Sequence, residues 1–550
     1  MWPHTHVVED TEGGEHFYDE RMLRRFAVLI ACSLAVTACG DGIDEGVNEG
    51  RGNRGTIYGL TLETVVTAAP ATTAAPATTD TDTTDTEPTG TEPGRADDPF
   101  AWFDFEDGTE EGYLEVPLDY DDPSGGTMTL YVARHRATDP ANRIGTLLVN
   151  PGGPGVAGTG LVWAAESVYG QALLDRFDIV GWDPRGTGYT EPSVDCVDDY
   201  DQYFGLDSSP DTPQERQQLI DAGTDFGQAC QDRNGALLAH ISTENSARDM
   251  NAIREALGED RISYFGFSYG SELGATWATL FPDTVRAMVI DGAIDPTVGY
   301  LQQNLQQAAG FEAAFTTFLA QCSAEPACAF HNAGNAAGAF DRLSAAIDAT
   351  PLSVTSGRTE VTQGVLTTAV AQAMYDASQW PGLEQALADL QAGNGQGVLD
   401  LYDDYYGYGF EEWDNAYEAY FAIACLDDPG STGPDDLFSH EAEFAAAAPR
   451  LGRGWLGELT FCSVWPVAPV EPVVITGEGA GPILVVGTTG DPATPLQSTR
   501  KMAAALEDGH LVVVSADQHI GYGVNRCVNE AVDNYLVDPT APLADELSCS

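Results

Sequence analysis

At 550 residues and 43% apolar content, the chain is long enough for one large domain with an insertion, or for two domains. Its 24 basic residues face 85 acidic ones, a formal net charge of −61, and Lys501 is the single lysine. That field excludes nucleic acid and other polyanions as partners and fits a solvated acidic surface.

The N-terminus reads as a targeting signal spanning residues 1–38. Met22-Leu23-Arg24-Arg25 supplies a basic start, Phe26 to Val36 a short apolar run, and Val36-Thr37-Ala38 small residues before Cys39. The run is too short for a permanent membrane span. Residues 1–21 are polar and acidic, unlike a signal, so the expected start is Met22. The ending resembles a bacterial lipobox, with Val36 where leucine is more usual; Cys39 is then the lipidated first residue of an exported, outward-facing chain. Any membrane contact is expected through that anchor alone, and a secreted form is the alternative.

Residues 39–97 form an expected tether. The near-repeat Ala68 to Thr79 and the acidic, Thr-rich run Asp80 to Glu92 bury little, so disorder is expected. A coil of that length reaches on the order of 40 Å. Folded sequence begins near Asp98. Tyr113 to Pro117 and Met128 to Arg134 alternate like strands around an Asp-Pro-Ser-Gly-Gly turn. Gly145 to Val149, Phe177 to Trp182, Ile262 to Phe265, Ala287 to Asp291, Pro482 to Val486 and Leu511 to Val514 are short apolar runs of the buried parallel kind. With helical segments between them, they imply an α/β fold with a mostly parallel sheet covered on both faces. Residues 98–296 and 471–550 make the two parts of this core.

Residues 297–470 read instead as a helical insertion over the C-terminal edge of the sheet. Leu301 to Ala320, Ala336 to Ala349, Gly364 to Ala377 and Gly382 to Ala392 carry helical spacing, and Leu401 to Phe421 is dense in aromatic and acidic residues. Packing within the insertion is the default role of those rings; a substrate-facing wall is the functional one. Eight cysteines follow Cys39, an even set in an exported chain, and about a hundred pairings are open to them. Sequential pairing is expected: Cys196 with Cys230, Cys322 with Cys328, Cys425 with Cys462, Cys527 with Cys549. No pair has the spacing of a zinc site, so no metal is expected.

The chemistry centres on Gly266-Phe267-Ser268-Tyr269-Gly270, a G-x-S-x-G pattern between an apolar strand and a helix running from Leu273 to Phe281. A serine in that turn projects its hydroxyl above the sheet and needs a base, and the base needs orienting. Six histidines lie beyond the tether; only His519 sits in a loop just after a strand. Asp491 follows the preceding strand, and the order Ser268, Asp491, His519 is the one this strand–turn–helix motif uses. Asp491 as a simple turn cap, and Asp517 as the orienting acid, are the competing readings. The oxyanion donors are expected to be the Tyr269 N–H and, from the loop Asn150 to Gly155, the Gly153 N–H. The same loop matches G-x-G-x-x-G at Gly153 to Gly158, but its place after a third strand and its internal Pro154 weaken a dinucleotide site. No cofactor is expected.

Asn150 to Gly155, Gly181-Trp182-Asp183-Pro184-Arg185-Gly186-Thr187-Gly188, Gly266 to Gly270 and Gly490 to Pro495 together resemble the exported actinobacterial α/β-hydrolases of the tripeptidyl aminopeptidase type, relatives of proline iminopeptidase. Ala422 to Asp427 and Phe461 to Pro466 resemble that family's C-terminal region and support the Cys425–Cys462 bridge; Val116 to Tyr120 resembles its first strand. The likeness covers roughly residues 110–550. It implies an α/β-hydrolase fold with a helical lid and a serine exopeptidase acting on peptide N-termini. Two departures stand out: Gln518 precedes the histidine where the family more often has glycine, and a cysteine expected before Leu114 is missing. An aminopeptidase must hold a free ammonium; Glu411, Glu412, Asp427 and Asp428 are candidates, though a solvated surface acid is the default reading of each. An esterase or lipase with the same triad, or a surface-binding lipoprotein without catalysis, are the alternatives. A monomer acting on peptide substrates is expected.

Overall fold

The computed structural model describes residues 98–550, apart from 106–107, 356–357, 411 and 431–432, together with the strands Arg54–Ile57 and Leu60–Glu63. The signal region and Cys39 lie outside the described residues. The two N-terminal strands pair antiparallel, Arg54 opposite Glu63 and Ile57 opposite Leu60, within a segment expected to be a structureless tether. The physical reason is local: Thr56 to Leu62 is richer in β-branched, aromatic and aliphatic residues than the Ala/Thr/Pro run after it. Two compact units result, Met1–Gly90 and Thr91–Ser550, and everything below concerns the second.

The second unit is built on a ten-stranded sheet: β1 (Phe103–Asp104), β2 (Thr109–Pro117), β3 (Thr127–His135), β4 (Gly145–Asn150), β5 (Phe177–Trp182), β6 (Ile262–Phe267), β7 (Val285–Asp291), β8 (Ile483–Thr488), β9 (Gly509–Val514) and β10 (Glu546–Cys549). Their order across the sheet is β10-β9-β8-β7-β6-β4-β5-β3-β2-β1. Pairing is parallel from β10 to β5 and antiparallel from β5 to β1. Every residue of β4, β5, β6 and β8 is buried, which is why those segments read as unbroken apolar runs. The β4/β5 swap places the β4 and β6 C-terminal ends side by side.

The principal helices are α1 (Pro213–Asn234), α2 (Thr243–Ala256), α3 (Tyr269–Leu280), α4 (Tyr300–Ala324), α5 (Ala336–Ala349), α6 (Gln363–Met374), α7 (Trp380–Gln391), α8 (Gln396–Tyr406), α9 (Ala416–Leu426), α10 (Gly452–Glu458), α11 (Leu496–Ala505) and α12 (Arg526–Val537). Their starts carry side-chain caps where the sequence offers them. Thr212 and Glu215 form a reciprocal capping box on α1, and Ser242, Asn335, Thr362 and Asn525 accept from the first turns of α2, α5, α6 and α12.

Helices α4 to α10 lie between β7 and β8 in the chain. The aromatic segment there is two helices, α8 and α9, joined by the short strand pair Tyr408–Gly409 and Glu412–Trp413. Helix α1, from the earlier half of the chain, joins the same layer. Phe204 stacks on Tyr406 and Phe421 at 5.0 and 5.5 Å, and Phe226 of α1 meets Phe461 at 5.4 Å. The sheet carries two strands that composition does not announce: β1 is two residues long, and β10 is a short, polar edge strand.

Among the described residues four disulfides are present: Cys196–Cys230, Cys322–Cys328, Cys425–Cys462 and Cys527–Cys549. The third joins α9 to the short helix Thr460–Ser463, and the fourth ties α12 to β10. Among the described residues no helix is long and apolar enough to cross a membrane.

Candidate active site

Ser268 stands between β6 and α3 with φ +56° and ψ −124°, a region L side chains rarely occupy. Such a conformation costs on the order of 1–3 kcal/mol and persists only where its surroundings enforce it. Here they do. Ser268 N–H donates to the Asp291 carbonyl at the end of β7, 2.8 Å, and Ser271 N–H donates to the Ser268 carbonyl, 2.7 Å. Tyr264 hydroxyl donates to the Gly270 carbonyl, 2.8 Å, and its ring lies where a Cβ on Gly266 would stand, 2.5 Å away. The two glycines of the motif therefore serve close packing of strand on helix. Ser268 is 8% exposed, at the mouth of the buried elbow.

Asp491 and His519 meet across the loops after β8 and β9. His519 Nδ1 lies 2.9 Å from Asp491 Oδ1 and 3.0 Å from Oδ2, with both side chains fully enclosed. Asp491 Oδ1 also accepts from the N–H groups of Ala493 and Thr494, 3.0 and 2.8 Å, and Oδ2 from the Thr494 hydroxyl, 3.0 Å. These bonds fix the plane of the carboxylate. The histidine loop is tied down separately: His519 N–H donates to the Tyr375 carbonyl, 2.8 Å, just after α6. Gly521 and Tyr522 N–H donate to the buried Asp291 carboxylate, 2.8 and 2.7 Å. Burial pushes the Asp291 carboxyl up to about 6, against the pull of those two donors. Asp517 is exposed, and the carboxylate bonded to the imidazole is Asp491.

The loop after β4 abuts the elbow. A Cβ on Gly152 would stand 2.9 Å from Ser268 Cβ and 3.0 Å from Tyr269 N, so the backbone of Gly152-Gly153 passes directly over the start of α3. Asn150 Oδ1 holds the turn by accepting from Gly152 N–H, 2.9 Å.

The candidate ammonium-binding acids are dispersed. Glu411 lies outside the described residues. Glu412 is exposed on its short strand. Asp427, at the end of α9, accepts from the Thr243 N–H and hydroxyl at 2.9 and 2.7 Å, and that hydroxyl lies 2.5 Å from the Tyr269 hydroxyl. Burial pushes Asp427 up to about 6 despite those donors. Asp428 is buried, accepts from Gly430 N–H at 3.0 Å, and lines a cavity of about 240 Å³ with Tyr300 and His440. Sequence reasoning missed Thr494, Tyr375 and Asp291 around the pair, and two further acids, Glu272 and Glu458, which burial raises to about 8 and about 7. An Asp followed three residues later by Thr is the signal that marks the Asp491 turn. Among the described residues, the one close grouping of metal-ligating types is Cys322, Cys328 and Glu384, and its cysteines are joined in a disulfide.

A strained serine at the β6–α3 elbow, with an enclosed Asp–His pair on the loops after β8 and β9, defines a class, and residues 145–525 match the model of the alpha/beta hydrolase fold. The chain belongs to that family and is a serine hydrolase of its fold. It is 33% identical over 452 residues to the serine protease Hip1 of Mycobacterium tuberculosis, covering 78% of this chain and 85% of that one. It is 37% identical over 444 residues to carboxylesterase B of the same organism, covering 78% and 84%. To the tripeptidyl aminopeptidase of Streptomyces lividans it is 32% identical over 447 residues, covering 78% and 81%.

Proposed function

We propose that the chain is an exported serine aminopeptidase that releases short peptides or single residues from free peptide N-termini through an acyl-enzyme. The observation that carries the reading is the enclosed Asp491–His519 pair beside the strained Ser268, in a chain similar along most of its length to a serine protease and a tripeptidyl aminopeptidase.

In this reading Ser268 Oγ attacks the scissile carbonyl as His519 Nε2 takes its proton. Asp491 keeps Nδ1 protonated and stabilises the imidazolium that forms. The Tyr269 and Gly153 N–H groups receive the developing oxyanion. His519 returns the proton to the leaving amine, and water repeats the sequence on the acyl-enzyme to free Ser268. Asp427 is tied to the Thr243 N–H and hydroxyl, and the peptide's amino terminus is received elsewhere in the helical insertion. Cys39 carries the lipid, and the folded unit acts as a monomer on peptides at the outer face of the membrane; the four disulfides suit that compartment.

The likeness to carboxylesterase B supports a second reading, an exported esterase with the same three residues. Tripeptidyl- and aminoacyl-4-nitroanilides assayed beside 4-nitrophenyl esters separate the two. Amide cleavage is expected; ester turnover without any amide cleavage refutes the peptidase. Fractionation of cells expressing wild type and Cys39→Ala tests the anchor: the variant is expected in the medium, and an unchanged distribution refutes lipidation.

A further inference from the structure

Among the described residues of the insertion, two clusters of tyrosines and acids differ in one respect. In the first, Arg358 lies 4.0 Å over the Tyr408 ring and 5.1 Å over the Trp413 ring, and its guanidinium bonds to Asp201, 2.6 Å, and to Asp403. Carboxylates and aromatic faces there enclose a cation that the chain itself provides.

The second cluster surrounds Glu458 at the end of α10. Tyr406 hydroxyl donates to Glu458 Oε1 at 3.0 Å. The ring of Tyr417 lies 4.3 Å from that of Tyr406, 5.4 Å from Tyr405 and 5.4 Å from Tyr420, and the Tyr420 and Tyr300 hydroxyls are 3.3 Å apart. Tyr300, Tyr406 and Tyr417 all feel the Glu458 charge. Tyr406 is buried, whereas Glu458, Tyr300, Tyr405, Tyr417 and Tyr420 are half-buried. Among the described residues no arginine, lysine or histidine pairs with Glu458; burial and the Tyr406 hydroxyl are the influences on it. A carboxylate walled by tyrosine rings is a site for a cation, attracted by the charge and by the negative faces of the rings.

The cluster also borders the catalytic machinery. A Cβ on Gly155 would stand 2.7 Å from Tyr420 N, so α9 rests on the loop whose other end, Gly152, touches Ser268 and Tyr269. A chain entering over that loop meets the tyrosine box at one end and the serine at the other. We infer that Glu458, within the box of Tyr300, Tyr405, Tyr406, Tyr417 and Tyr420, binds the free α-ammonium of the peptide substrate. The assignment rests on the aminopeptidase reading above and replaces the four acids that sequence alone suggested. The span from box to Ser268 then sets how many residues leave in each cut.

The test pairs a tripeptidyl-4-nitroanilide bearing a free amino terminus with its N-acetylated counterpart. Wild type is expected to prefer the free amine. Glu458→Gln, which keeps an acceptor for the Tyr406 hydroxyl, is expected to lose about 10- to 100-fold in kcat/KM on the free-amine substrate, mainly in KM, as expected for loss of a charge-assisted contact. Its rate on the acetylated substrate stays within about twofold of wild type. Glu458→Asp, which retains the charge, keeps part of the preference, and Glu412→Gln leaves both rates unchanged. A folded Glu458→Gln that keeps the full wild-type preference overturns the assignment while leaving the peptidase intact. Wild type that cleaves neither anilide but turns over 4-nitrophenyl esters overturns both.

Discussion

Gly152→Ala is the substitution for which the structure gives the sharpest expectation. Gly152 has φ +100°, so an alanine there is strained by about 1–2 kcal/mol from backbone conformation alone. The added methyl also has nowhere to go: it would stand 2.5 Å from the Phe267 carbonyl oxygen, 2.9 Å from Ser268 Cβ and 3.0 Å from Tyr269 N. Carbon atoms in contact sit at about 3.5–4.0 Å, so loop and elbow must part by on the order of 1 Å. A displacement of that size in a reacting geometry costs roughly 100-fold, and loss of one oxyanion donor roughly 100- to 1000-fold. Gly108→Ala is the matched control: its φ is +89°, and nothing lies within 4 Å of the new methyl. Both variants are expected to lose stability in thermal denaturation through the shared backbone strain, Gly152→Ala by roughly 1–3 kcal/mol more because its methyl is overpacked. Only Gly152→Ala is expected to lose kcat, by about 100-fold or more, on an activated ester or anilide. Activity of Gly152→Ala within about threefold of Gly108→Ala would refute the placement of this loop at the reacting carbonyl.

Asp491→Asn should leave the fold intact and cut kcat by roughly 10⁴, because the amide orients the wrong imidazole tautomer; a loss under tenfold in steady-state kinetics would argue for another acid. Stability should fall as pH rises from about 5 to 8. Burial raises Glu272 and Glu418 to about 8, Glu458 to about 7, and Asp183, Asp291 and Asp427 to about 6. The folded chain therefore holds protons that the unfolded chain has released in this window, each such group contributing on the order of 1 kcal/mol per pH unit. A melting temperature that climbs between pH 5.5 and 8 contradicts this assignment. Replacing Cys425 and Cys462 together by serine opens a loop of 37 residues and should cost roughly 4 kcal/mol, read as a lowered denaturation midpoint with activity retained in native buffer.

Much of the candidate site's placement was legible because its motifs are local in sequence. Ser268 needs a strand before it, a helix behind it and small residues on either side, and all are contiguous in the chain. Asp491 and His519 each follow an apolar strand by a few residues, so their place at one edge of the sheet follows from strand direction alone. What surrounds them was not legible. Tyr375 reaches the histidine loop from the insertion, and Asp291 supports it from β7, and neither proximity leaves a mark on local pattern. The insertion reads as helices, yet its cluster depends on how α4, α8, α9 and α10 pack, so Glu458 looked like one more acid among 85. Helix α1 joins the insertion through Phe226 although about 200 residues of chain separate them.

The most direct test of the account is peptide mapping by mass spectrometry after inactivation with a fluorophosphonate. One adduct per chain is expected, on Ser268 in the peptide spanning Phe267 to Gly270, with loss of hydrolysis in proportion to labelling. Ser268→Ala should take up no label and hydrolyse neither anilide nor ester. Label on another residue of the active wild-type protein, or full activity in Ser268→Ala, would contradict the central claim.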